Sequence, residues 1–153
     1  RGRKPSAMGA CIGAVVGLVA ITPAAGYVSI PQSFVIGMIA SIISSLMVEW
    51  RSKTSIDDTL DVFPCHGVGG MVGMILTGVF ASSKINSSVA NNGLIYGETK
   101  LFCIQIAAMI GVSVFVFLGT FLLLKITDLI MPVRVSESEE KEGLDWSQHA
   151  ERL

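Results

Sequence analysis

The sequence predicts an all-α fold, a polytopic membrane protein with four transmembrane helices, and three observations lead to it. Apolar residues fill 51% of the 153 positions, and mean hydropathy is +0.65. Charged residues make up only 15%, against roughly a quarter in ordinary soluble domains. The stretches 5–48, 62–83 and 101–124 carry no charged side chain at all. A soluble domain of this size needs a charged face on nearly every element, so stretches this long exclude one. A net charge of −1 supplies no basic footprint for nucleic acid, and the apolar content excludes a disordered chain.

The elements follow from length and breakers. A span needs about 20 predominantly apolar residues. The first charge-free stretch is too long for one helix and is broken by Thr22-Pro23, Gly26 and Pro31. Two spans are therefore expected, at 7–25 and 33–50, with each proline near a helix end where a missing backbone donor costs least. A third span is expected from Val62 to Ala81. A fourth runs from Leu101 to Met131, long enough to tilt or to leave the bilayer. Runs such as Phe121-Leu122-Leu123-Leu124 lack the period-two alternation of a membrane barrel. The expected division is a membrane part at 1–131 and a hydrophilic cytoplasmic tail at 132–153.

Orientation follows from Lys and Arg in the connections. Arg1, Arg3 and Lys4, then Arg51 and Lys53, and then Arg134, Lys141 and Arg152 fall on one side of a four-span topology; Lys84 and Lys100 fall on the other. Both termini and the 51–61 loop are thus expected in the cytoplasm, and the loop 82–100 outside. Asn86-Ser87-Ser88 matches a glycosylation acceptor but is assigned no role. The chain opens with Arg1 rather than Met, which suggests the back part of a longer protein.

Within the spans, Gly9, Gly13 and Gly17 recur every four residues, and Gly69 and Gly73 repeat the spacing, a pattern that lets helix backbones approach in lipid. The run Val112 to Leu124 reads as a lipid-facing or peripheral helix. Cys11, Cys65 and Cys103 lack metal-ligand spacing and read as small buried hydrophobes. Lys125 and Asp128, three residues apart, are expected to pair on one helix face.

The segment Asp57-Asp58-Thr59-Leu60-Asp61-Val62-Phe63-Pro64-Cys65-His66-Gly67-Val68-Gly69-Gly70 carries the most chemistry. Asp61 is expected to cap the following helix and to support its entry, while Asp57 and Asp58 read as part of a solvated, capping loop. Pro64 belongs in a first turn. His66 then lies just inside a charge-free span, where an ionisable residue is expensive. A neutral imidazole there can pass a proton or hydrogen-bond a small polar solute. An interfacial, solvated histidine is the plain alternative. Haem ligation competes less well, because the second histidine, His149, lies in the tail.

These residues resemble a known family. The segment Asp57 to Gly73, followed by Leu76-Thr77-Gly78-Val79-Phe80-Ala81, looks like a late pore-helix signature of the ammonium transporters, the Amt branch of the Amt/Rhesus family. Gly17 to Val28, with Thr22-Pro23-Ala24-Ala25-Gly26, is similar to another signature of that family, and Glu140-Lys141-Glu142-Gly143-Leu144-Asp145 with His149 resembles its cytoplasmic tail. Together the three matches span nearly the whole chain.

The resemblance implies an inverted-repeat fold of about eleven helices around one pore per subunit, assembled as a homotrimer in the plasma (inner) membrane, of which this chain holds the last four spans. It implies ammonium as the substrate, passage of ammonia along an apolar bore past paired histidines, no cofactor, and no enzymatic activity. His66 matches one of that pair. Thr22 matches a position near the outer vestibule, and Val62 one near the inner bore. Gly143, Leu144, Asp145 and His149 match a regulatory tail that meets a small nitrogen-signalling protein, although Ala150 departs from the glycine usual there. An ammonium sensor and a non-transporting anchor subunit are the other function classes.

Overall fold

The computed structural model describes residues 7–151, so the expectations for Arg1, Arg3, Lys4 and Arg152 lie outside the described residues. Helix α1 spans Ala7–Ile21 and passes into a tight 3-10 turn, Thr22–Ala24, where Pro23 stops the α-helical ladder. Helix α2 spans Ile30–Arg51. It starts three residues before the sequence expectation because Pro31 sits in its first turn instead of preceding it. Gln32 steadies that start, its Oε1 accepting from the Ser29 N–H at 2.8 Å and the Ser29 hydroxyl at 2.9 Å. A π-helical turn, Phe63–Val68, leads into α3, Gly69–Phe80. Helix α4 spans Lys100–Ile130. Four helical segments, Ala7–Ala24, Ile30–Arg51, Phe63–Phe80 and Lys100–Ile130, are long and apolar enough to cross a membrane.

The chain divides into two compact units at Ile110/Gly111. In the first, α1, α2 and the π turn with α3 pack on one another around a core of mainly small side chains. Val16, Ala20 and Ala24 recur every four residues, as do Ile36, Ala40 and Ser44, and each set forms one buried stripe. Cys65, Val68 and Val72 close the core from the third side. Small residues suit this role, since close van der Waals packing holds helices together where lipid removes the hydrophobic drive. Gly73 is the tightest point: a Cβ there would stand 2.2 Å from the Ala20 carbonyl oxygen. By contrast, a Cβ on Gly13 or Gly17 meets nothing within 4 Å. The close approach of α3 to α1 thus centres on Gly73. Cys65 is buried as expected, whereas Cys11 and Cys103 are exposed. The Ser44 hydroxyl is fully buried and lacks a hydrogen-bond partner among the described residues.

The loop between α3 and α4 is tied back to this unit by main-chain bonds, Ser82 N–H to Tyr27 C=O at 3.0 Å and Gly93 N–H to Ala81 C=O at 2.7 Å. Asn92 organises the rest. Its Oδ1 accepts from the Ser83 N–H and hydroxyl at 2.8 and 2.9 Å, and its own N–H and Nδ2 donate to Glu98 at 2.9 and 2.7 Å. Bonds from the Asn92 side chain and then its backbone hold the Glu98 carboxyl below the usual value of 4.5. A carboxylate depressed on folding lends stability above its unfolded pKa and loses it as pH falls through the folded one. The loop is therefore expected to become more susceptible to limited proteolysis as the pH drops below about 4.5, and Glu98→Gln should flatten that dependence. A pH-independent cleavage rate in the unmodified loop would remove Glu98 from this role.

The second unit comprises the rest of α4 and the tail. No described residue of α4 is buried. The expected Lys125–Asp128 pair does not form. Lys125 instead places its ammonium 6.0 Å from the centroid of the Phe121 ring, and Asp128 Oδ1 accepts the Val133 N–H at 3.2 Å. An aspartate near a helix end finds a main-chain donor more readily than a long lysine that follows the apolar face. The tail forms two short helices, α5 at Glu137–Glu142 and α6 at Leu144–His149. Ser136 and Glu139 cap α5 reciprocally, and Gly143 separates the two helices with φ +97°.

Candidate functional site

The loop from Ser52 to Asp61 delivers the chain from α2 to the π turn, and two carboxylates control the entry. Asp58 caps the helix: Oδ1 accepts the Val62 N–H at 2.8 Å and Oδ2 the Phe63 N–H at 2.9 Å. This corrects the expectation that Asp61 does so. Asp61 adopts a left-handed backbone conformation, φ +53°, which turns its carboxylate away from the helix end. It pairs instead with Arg51, the last residue of α2, whose Nε and Nη2 both reach Oδ1, the former at 3.0 Å. The two side chains are 21% and 18% exposed, sheltered enough for the pair to keep its geometry.

Beyond this entry the helix opens with a wide turn. The Cys65 N–H still donates to the Asp61 C=O at 3.0 Å, but Phe63–Val68 then winds as a π turn before α-helical spacing resumes at Gly69. Pro64 lacks the N–H that would continue an α ladder, and Gly67 leaves room for the Phe63 ring, which a Cβ there would meet at 2.9 Å. Single π turns inside helices recur at functional sites because they re-aim a side chain by the angular step of one residue. Here Pro64, Cys65 and Val68 face the core, while His66 and Phe63 face outward.

His66 is thus presented on an exposed face of a largely apolar helix, adjoining exposed Val62. Thr22 stands at the far end of α1, in the turn that packs beside α3, with its hydroxyl donating to the Leu18 C=O at 2.8 Å. Close by, a cavity of about 300 Å³ is lined by Pro23, Tyr27, Thr77, Ala81 and Gln105 together with residues 88–91 of the loop. Thr22 and His66 therefore belong to different levels of the first unit and are not brought together. Gly143, Leu144, Asp145 and His149 lie in the second unit; there the Ser147 hydroxyl donates to the Gly143 C=O at 3.0 Å, and Ala150 ends α6 in a left-handed conformation, φ +55°. Among the described residues, no group of three or more His, Cys, Asp and Glu is placed to hold a metal ion.

Sequence reasoning missed the pairing of Arg51 and the π turn, and read Asp58 only as part of a capping loop. The proline and glycines at 64, 67, 69 and 70 were a usable signal for an irregular helix start. Nothing in the spacing marked Arg51, ten residues from its partner.

Four apolar helices, three of them sharing a close-packed core and one presenting a histidine at its wide first turn, define a segment of a helical membrane protein. The profile of the Ammonium Transporter Family matches residues 1–152. The chain belongs to that family. It is 45% identical over 151 residues to an ammonium transporter of Bacillus subtilis, an alignment covering 98% of this chain and 37% of that protein. It is 40% identical over 148 residues to the ammonium transporter Amt1 of Archaeoglobus fulgidus, covering 97% of this chain and 37% of that one. Its fold is similar to the crystal structure of Saccharomyces cerevisiae Mep2, with TM-score 0.82 and 35% identity across 90% of this chain and 32% of that structure. Candida albicans Mep2 gives 0.80 and 35%, across 89% and 31%. The chain spans about a third of the length of these relatives.

Proposed function

We propose that this chain works as the closing part of an ammonium transporter, with residues 1–131 completing the membrane domain and 132–153 forming a cytoplasmic tail. The observation that carries the reading is the family match over residues 1–152 joined to His66 on an exposed face of a charge-free span. In this reading the exposed face is covered by the remaining two thirds of the transporter, which supplies the second histidine of the pore and the outer recognition site.

The chemistry favours such a bore. Bringing a compact cation into a low-dielectric medium costs on the order of 20 kcal/mol in the idealised limit. Removing the proton from an amine of pKa roughly 10 at neutral pH costs only about 4 kcal/mol. Ammonium is therefore recognised outside, deprotonated, and passed as ammonia, with His66 acting as hydrogen-bond partner or proton relay. Val62 lines the inner end, Thr22 supports the vestibule, and Asp61 supports the entry to the helix. The assembly is a homotrimer in the plasma membrane, and the tail residues Gly143, Leu144, Asp145 and His149 meet a small nitrogen-signalling protein.

Growth on low ammonium of a yeast strain lacking its own ammonium transporters tests this reading. The full-length transporter containing this segment is expected to restore growth, and residues 1–153 alone are not, because half of the bore is absent. Rescue by residues 1–153 alone would overturn the reading, as would failure of the full-length protein when it reaches the plasma membrane.

A further inference from the structure

We infer that Arg51 is a positioning residue for His66, acting through Asp61 to fix the rotation of the π turn. The inference rests on the reading of His66 as a pore histidine. A short series of bonds makes the connection. Arg51 closes α2, a 22-residue helix anchored in the core by Ile36, Ala40 and Ser44, so its guanidinium is carried by a rigid element. Two of its nitrogens hold Asp61 Oδ1. Asp61 in turn occupies a left-handed conformation, φ +53°, which is uncommon outside glycine and best tolerated by Asp and Asn. Its carbonyl accepts the N–H of Cys65, the residue immediately before His66.

Rotation is what this chain of contacts governs. Successive residues of a helix are separated by about 100°. Cys65 is 5% exposed and points into the core, while His66 points out. A slip of one residue at the helix entry would carry His66 to the buried position now held by Cys65, placing the imidazole among Val68, Val72 and their neighbours. The π turn makes such a slip accessible, since its wide spacing can relax to ordinary α geometry. The Asp58 cap secures the first two N–H groups but leaves the turn beyond them free to rewind. The Arg51–Asp61 pair opposes that relaxation from the neighbouring helix.

The test uses the full-length transporter containing this segment. Carbethoxylation by diethyl pyrocarbonate, resolved by peptide mass spectrometry, reads the accessibility of His66, with His149 in the tail as internal reference. Arg51→Ala is expected to change the His66 rate several-fold while His149 keeps its own. Arg51→Lys should restore most of the original rate, and ammonium uptake should follow the same order. Asp61→Asn keeps a residue that tolerates left-handed backbone and removes the charge, so it should reproduce the Arg51→Ala effect if that variant does not fold. An unchanged His66 rate in a folded Arg51→Ala or Asp61→Asn protein overturns the inference. A His66 rate that responds to Arg51 while uptake ignores every substitution of His66 supports the positioning role and overturns the transport reading instead.

Discussion

His66→Ala in the full-length transporter is expected to lower ammonium transport by about a hundredfold, the scale for losing a positioned proton-transfer group. The side chain is exposed in the described unit and contributes nothing to its core, so helix packing should survive the truncation. Membrane insertion and assembly should therefore match the unmodified protein, which separates this loss from misfolding. His66→Glu sharpens the result. A carboxyl can still relay a proton, but when ionised it favours cations, so transport should persist with weaker discrimination against potassium. Unchanged current and selectivity in both variants would return His66 to the status of an interfacial histidine.

Gly73→Ala is expected to cause a large loss of stability for a single added methyl. The new Cβ would lie 2.2 Å from the oxygen, 2.9 Å from the carbon and 3.0 Å from the Cα of Ala20. All three are main-chain atoms of α1, and α1 is held on its other sides by α2, so no side chain can swing aside. Overpacking against a backbone that cannot yield costs about 3 kcal/mol, at the upper end of the usual range. Gly119→Ala is the matched control: a Cβ there meets nothing within 4 Å. It should leave stability unchanged or raise it by up to about 1 kcal/mol, because alanine restricts the unfolded chain. Thermal unfolding in detergent distinguishes the two. Equal midpoints would mean that α1 and α3 are not in contact at Gly73.

The positions of these two residues were legible in the sequence to different degrees. His66 stood out because an ionisable group at the edge of a charge-free span is rare and expensive. Gly73 was visible only as a member of the shorter of two glycine rows, and nothing in the spacing ranked it above Gly13 or Gly17. The difference lies in the spacing: Gly73 meets the backbone of α1 directly, while a Cβ on Gly13 or Gly17 would meet nothing within 4 Å. Periodicity identifies a face of small residues but carries no information about which part of that face another helix crosses.

The helical class, the four spans and their limits within a few residues were contained in the amino-acid sequence. Apolar length and the placement of charge are one-dimensional properties, and each span can be recognised without knowing its neighbours. The family signatures were legible for the same reason, as contiguous runs of residues. The entry to the third span was different. That Asp58 caps the helix and that Asp61 turns instead to Arg51 go with the left-handed backbone at 61 and with where α2 ends. Likewise, Lys125 lies over Phe121 and leaves Asp128 to a main-chain donor. A charged side chain chooses among several partners of similar strength, and the choice depends on distances that exist only once the helices have packed.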